Sequence, residues 1–140
     1  MNMTIESLKA IPGKLKSHRH WILWQLSQGK GQDKPTKIPV SRHGRKINAQ
    51  APGNWMSFEE AIRLSEISGL EKGLGFVLSE KLGIMCFDFD GVPNPDTGEI
   101  DPDAMDLVSR LNSWTEISQS GKGLHVWIRA TRSCGRSRAR

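Results

Sequence analysis

Cysteine is scarce in this 140-residue chain, which holds only Cys86 and Cys134. Two thiols so placed make neither a disulfide framework nor a zinc site, and the cytoplasm is the expected compartment. No apolar run approaches the ~18 residues a bilayer span requires. Residues 1–16 also lack the apolar block and small-residue cleavage site of a secretory signal, so no membrane partner is expected. Neither an internal repeat nor a low-complexity segment precedes residue 131. What is present is the composition of an ordinary globule, 36% apolar and 25% charged. That length fits one domain with a real core and is short for two.

Charge is distributed unevenly. The net charge is +5, but residues 131–140 carry four arginines and no acid. Without those arginines, sixteen basic side chains face fifteen acidic ones, a balance of +1. Overall basicity is therefore a weak pointer to nucleic acid. The local pattern is more informative: residues 9–46 are enriched in Lys and Arg, and residues 88–116 are acidic.

Residues 4–16 predict a short helix broken at Pro12-Gly13. Residues 20–26, with Trp21 and Trp24, and residues 36–40 read as two strands returning antiparallel across a Gly- and Lys-rich turn. The two tryptophans fall on opposite faces, both as core anchors. Lys34 and Lys37 can meet phosphates, although a lysine-bearing edge strand is an equally ordinary origin for them. Ser57-Phe58-Glu59-Glu60 is a capping box opening a helix to about Ser68, which Gly69 stops. Residues 73–78 predict another strand. After the turn formers of residues 94–98, Asp101-Pro102 starts a helix with Asp101 as N-cap. Its apolar positions are Ala104, Leu107, Val108 and Leu111. Residues 114–118 and 124–129 are the last two strands. The expected class is α+β, a mixed and largely antiparallel sheet flanked by helices over residues 57–68 and 102–112.

One stretch organises the rest: Ile84-Met85-Cys86-Phe87-Asp88-Phe89-Asp90-Gly91. As a strand it places Asp88 and Asp90 on one face and Phe87 and Phe89 on the other. Apolar residues on both faces suggest an interior strand. Carboxylates at its end would carry a heavy desolvation cost unless a cation or donors met them. Mg²⁺ is commonly held by one or two carboxylates plus phosphates, so the pair reads as a metal site for phosphate chemistry. A strand-end Asp capping a turn is the bland alternative.

A second motif follows in Ser118-Gln119-Ser120-Gly121-Lys122-Gly123-Leu124-His125. Glycines allow backbone N–H groups to converge on an anion, and Lys122 adds a point charge. A strand follows rather than a helix, so this is not a Walker A loop. His125 shares a face with Trp127 and Arg129, leaving Val126 and Ile128 for the core.

The order of Asp-x-Asp strand, helix, glycine-lysine turn and histidine strand resembles the archaeo-eukaryotic primase superfamily. The likeness is greatest to the primase-polymerase domain at the N-terminus of phage and plasmid replication proteins. Further pieces fit that pattern: Trp21-Ile22-Leu23-Trp24, Lys34-Pro35-Thr36-Lys37-Ile38-Pro39, Trp55 with Phe58-Glu59-Glu60-Ala61, Gly73-Leu74-Gly75-Phe76-Val77, and Leu111 to Ser118. Together they cover roughly residues 12–129. The resemblance implies an RRM-like core over residues 1–130, incomplete at the C-terminus. It implies nucleotidyl transfer, with Asp88 and Asp90 as metal ligands for Mg²⁺ or Mn²⁺ and His125 in the catalytic set. Ser120, Gly121, Lys122 and His125 would bind the nucleoside triphosphate. Lys34, Lys37 and Arg129 would face a single-stranded or primed DNA template, and a helicase domain would lie downstream.

The family brings a third acid on a later strand, and nothing in the pattern here supplies it. Residues 131–140 read as a basic tail, disordered or out of frame, so a frame shift or truncation just past Arg129 is expected. Weak or absent polymerase activity follows for this chain. Two rivals remain. Phe87-Asp88-Phe89-Asp90-Gly91-Val92 looks like the nucleophile motif of haloacid-dehalogenase phosphatases, but no acidic pair follows and the strand spacing does not suit a parallel sheet. A non-catalytic nucleotide- or single-stranded-DNA-binding module is the other.

Overall fold

The aromatic, branched run after His20 forms β1 (Trp21–Ser27), the centre of a three-stranded sheet in the order β2-β1-β3. β2 (Thr36–Val40) and β3 (Lys72–Phe76) both pair with it antiparallel. The computed structural model describes residues 5–67, 72–94 and 96–130. The chain divides into two compact units, Met1–Val77 and Leu78–Arg140. The predicted helix stop at Gly69, and the tail from Thr131, lie outside the described residues.

In the first unit, alternation along β1 decides what is buried. Trp21 and Leu23 face one side, in register with Phe76, Leu74 and Val40. Leu23 and Val40 are fully buried, each worth roughly 1.5–3 kcal/mol of transfer free energy. α3 (Phe58–Ile67) covers this face, with Phe58 packed 4.9 Å from Trp21, ring centroid to centroid, and Ala61 inaccessible. Ser57 Oγ accepts the Glu60 N–H at 3.1 Å. The Glu60 carboxylate pairs with exposed Arg19 at 3.6 Å, so the half of the capping box that is formed is the serine half. The N-terminal helix is broken as expected, into α1 (Ile5–Ala10) and α2 (Gly13–Lys16). Trp21 Nε1 donates to Leu15 O at 3.2 Å and ties α2 to the sheet.

The second face of β1 carries Trp24. Its ring lies against Gly73 on β3, its N–H donates to Leu74 O at 2.9 Å, and the Lys37 ammonium sits 4.8 Å from the ring centroid. Trp24 is thus half-buried, and Trp21 is the core anchor of the pair.

In the second unit β4 (Ile84–Asp90), β6 (Gly123–Arg129) and β5 (Thr115–Ile117) form a sheet in the order β4-β6-β5, again antiparallel throughout. Leu124 and Val126 are its buried apolar side chains, as the alternation through His125 requires. β6 is central and β4 lies at the edge, contrary to the expectation of an interior strand. Its apolar residues are only half-buried or exposed; Phe87 stays 39% accessible and stacks on Phe89 at 6.5 Å.

α4 (Pro102–Leu111) begins at Asp101, whose carboxylate accepts the N–H groups of Asp103 and Ala104 at 2.9 and 3.2 Å. It ends on Asn112 in the left-handed conformation. Ala104, Val108 and Leu111 are half-buried, and Leu107 turns outward, 46% exposed. The α+β class with antiparallel pairing is as expected, with the strands parted between two sheets. None of the described helices is long and apolar enough to cross a membrane.

Candidate active site

β4 and β6 run antiparallel with Asp88 opposite His125 and Asp90 opposite Gly123. Opposed residues in a sheet share a face, so Asp88, Asp90, His125, Cys86 and Trp127 project to one side. β5 adds Glu116, in register with His125 from the other edge. One row across three strands therefore reads Asp88, His125, Glu116. The opposite face takes Phe87, Phe89, Leu124 and Val126, which is why the polar row need not enter the core.

The row is held by one hydrogen bond and one longer approach. His125 Nδ1 lies 3.2 Å from Glu116 Oε1, and His125 Nε2 lies 3.6 Å from Asp88 Oδ1. Trp127 Nε1 donates to the same Glu116 oxygen at 3.2 Å. The Asp88 side chain is 61% exposed, against 37% for Glu116 and 29% for His125. Asp90 is exposed too. The desolvation argument made from the sequence thus does not apply: both carboxylates stand in water at a sheet edge. Beside them, burial pushes the Cys86 thiol up to about 12, with Glu116 and Asp88 adding to the effect.

Gly123, opposite Asp90, cannot be replaced freely. A Cβ there would lie 3.1 Å from Phe89 O and 3.2 Å from Ser118 Oγ. The place of a side chain there is taken by the Ser118 side chain and the Phe89 carbonyl. The turn from β5 into β6 is closed by Gly121 N–H to Ser118 O at 2.8 Å, with Gly121 at φ 73°. The Lys122 N–H points to Ser120 Oγ at 3.4 Å, and Ser118 Oγ meets Ser120 Oγ at 3.2 Å. Ser118 N–H also donates to Gly123 O at 2.7 Å, so three N–H groups of the glycine turn are engaged internally. The groups it offers an anion are the serine hydroxyls and the exposed Lys122 ammonium.

Among the described residues, no Lys or Arg is paired with Asp88 or Asp90. No three His, Cys, Asp or Glu among them are grouped to hold a metal ion. Two solvated carboxylates of hard oxygen donors fit Mg²⁺ or Mn²⁺ when water and substrate phosphates complete the shell. Arg129 lies exposed at the far end of β6, opposite Ile84. Lys34 and Lys37 belong to the first unit, Lys34 in an exposed loop and Lys37 over Trp24.

Glu116 is the residue that sequence reasoning passed over. Its signal was its hairpin position: the strand periodicity and the short turn at residues 118–123 put it level with His125.

An antiparallel α+β scaffold presenting an Asp-x-Asp edge beside a histidine and a Ser/Gly/Lys turn defines a class of candidate phosphate-handling sites. Comparison with known proteins finds a phage primase-polymerase to which the chain is similar. The chain is 32% identical over 129 residues, 91% of its length, to the DNA primase-polymerase of Nitratiruptor phage NrS-1. It spans 16% of that protein's length. No family model matches the chain. The haloacid-dehalogenase reading finds no support, because every strand pairing in both sheets is antiparallel.

Proposed function

We propose that the chain is the N-terminal part of a phage-type primase-polymerase, and that the Asp88–Asp90 edge with His125 is the nucleotide and metal end of its active site. The reading covers residues 1–130 as that portion, acting on nucleoside triphosphates with a single-stranded or primed DNA template. A helicase domain further along a longer protein belongs to the same proposal. The observation that carries it is the register pairing Asp88 with His125 and Asp90 with bare Gly123, at the mouth of the Ser118–Gly123 turn.

Divalent cations, when bound, supply charge neutralisation of the triphosphate and a more acidic attacking hydroxyl. The chain's own residues do the rest. Asp88 and Asp90 provide the anionic edge that fixes where those cations sit. Lys122 and the Ser120 hydroxyl contact phosphate oxygens, with Gly121 setting the turn. His125 lies within reach of the same phosphates and orients them beside Asp88. Catalysis of phosphoryl transfer is largely positioning and electrostatics, so such a set suffices in kind. Lys34, Lys37 and Arg129 are assigned to the template.

A second reading is favoured by one observation: the described residues lack a three-ligand metal group. This chain would then bind nucleotide or single-stranded DNA without turning nucleotide over. One titration tests the site. Fluorescent nucleoside triphosphate is titrated into the protein with Mg²⁺, with Mn²⁺ and with EDTA. Metal-dependent binding that weakens at least tenfold in Asp88→Asn and Asp90→Asn is expected. Binding indifferent to metal and to both substitutions would remove the proposed site. Primer extension on the same samples separates the two readings.

A further inference from the structure

The role of Glu116 follows from where it lies. It looks at first like the missing third acid of the metal site, but the register forbids that simple reading. Strands in a sheet lie about 4.8 Å apart, so β5 stands two spacings from β4, with β6 between. The imidazole of His125 occupies the intervening place, in contact with both carboxylates at 3.2 and 3.6 Å. Glu116 therefore reaches the Asp88 side only through His125.

We propose that Glu116 is a positioning residue: its carboxylate holds the Nδ1–H of His125 and so turns the Nε2 edge toward Asp88 and the nucleotide. The role in substrate binding rests on the function proposed above; the orientation of the ring does not. A carboxylate can only accept, so the Nδ1 atom facing it must carry the proton. The partner of one ring nitrogen thus fixes the orientation of the ring and turns the other toward Asp88; because phosphate oxygens only accept, Nε2 donates to the nucleotide only when it too carries a proton. The Glu116 oxygen is itself held, because Trp127 Nε1 donates to it at 3.2 Å from the same strand as His125. Two donors on β6 pin one acceptor on β5, and a ring pinned at Nδ1 cannot flip without breaking that bond. An ordinary cross-strand pair adding hairpin stability is the competing explanation.

The two explanations differ in what they do to the ring. In the ¹⁵N-labelled 140-residue protein, long-range proton–nitrogen spectra distinguish Nδ1–H from Nε2–H imidazole. The chain has four histidines, and the His125→Gln spectrum identifies the signal. In the wild-type protein His125 is expected to carry a proton on Nδ1. Glu116→Ala should shift it toward Nε2–H, while Glu116→Gln should keep it, since the amide oxygen can accept the same bond. A wild-type ring in the Nε2–H form overturns the proposal, as does a Glu116→Ala ring unchanged from wild type. If Glu116→Ala fails to fold, the wild-type and Glu116→Gln spectra still decide.

The second arm measures nucleotide affinity with Mg²⁺. Loss of a supporting carboxylate behind a functional histidine is expected to cost about tenfold in Glu116→Ala, with Glu116→Gln within about twofold of wild type on the same reasoning. Equal losses in both variants would mean that charge rather than orientation matters, against the proposal. Wild-type protein that binds no nucleotide would sink the proposed function, and the ring's tautomer would then decide the role of Glu116 alone.

Discussion

Replacing Gly73 with alanine should destabilise the first unit out of proportion to a single methyl group. An added Cβ would lie 2.0 Å from Cζ2 and 2.1 Å from Cε2 of Trp24, where carbon atoms need about 3.5–4.0 Å. The indole must swing away. That breaks its N–H bond to Leu74 O, a net loss of about 1 kcal/mol. Re-exposing roughly 100 Å² of ring costs about 2.5 kcal/mol at the usual area coefficient. The Lys37 contact adds about 0.5 kcal/mol. Alanine recovers roughly 0.5–1 kcal/mol by stiffening the unfolded chain. The net expectation is about 3 kcal/mol. Urea denaturation followed by far-UV circular dichroism reads this directly. With a slope of about 1.5–2 kcal/mol per molar, the midpoint falls by about 1.5–2 M. The double-mutant cycle isolates the cause: in a Trp24→Ala background, Gly73→Ala should cost no more than about 0.5 kcal/mol. A loss below about 1 kcal/mol in the wild-type background, or the same loss in both, would refute the reasoning.

Other consequences are equally open to measurement. With its thiol raised from 9.0 to about 12, Cys86 should alkylate about a thousandfold more slowly at pH 8 than an ordinary thiol, because the thiolate is the nucleophile. Mass spectrometry in a Cys134→Ser background reads this rate, and Asp88→Asn should speed it. Asp101→Ala removes the N-cap of α4 and should cost about 1 kcal/mol of thermal stability, whereas Asp101→Asn should cost much less. Lys72 is buried with its ammonium on Arg42 O at 2.8 Å, and burial lowers its pKa. The unfolded chain then binds more protons there, so this residue's contribution to stability rises with pH toward the ordinary lysine value. Lys72→Met should flatten that rise in denaturation curves between pH 7 and 10, and an unchanged slope would contradict it.

Elements were easiest to read where local chemistry dictates them. Pro12-Gly13 breaks a helix whatever surrounds it. Ser57 and Asp101 announce helix starts through the N–H groups they cap. The Asp88/Phe89 alternation follows from strand geometry alone, and so does that of His125 and Val126. Sheet order was harder, because pairing depends on contacts distant in sequence. The run 84–90 looked like an interior strand on hydropathy, but position in a sheet depends on how many partners a strand finds. Among the described residues β4 finds one, on β6. Leu107 misled for a similar reason: helical spacing marks an apolar stripe without fixing how far the neighbouring sheet extends over it.

Within the candidate site, the sequence by itself determined the chemical types and their local order: two acids one residue apart, a glycine-lysine turn, and a histidine opening the next strand. Covalent order and the two-residue period of a strand suffice for that. Only the tertiary structure decided that Asp88, His125 and Glu116 form one row, that both aspartates stay in water, and that the glycine turn spends three of its N–H groups on itself. Those are matters of register and of which edge meets solvent. Register is fixed by which strands pair, and in this sheet it matches residues up to forty-five positions apart, as for Ile84 and Arg129. No local pattern encodes that distance.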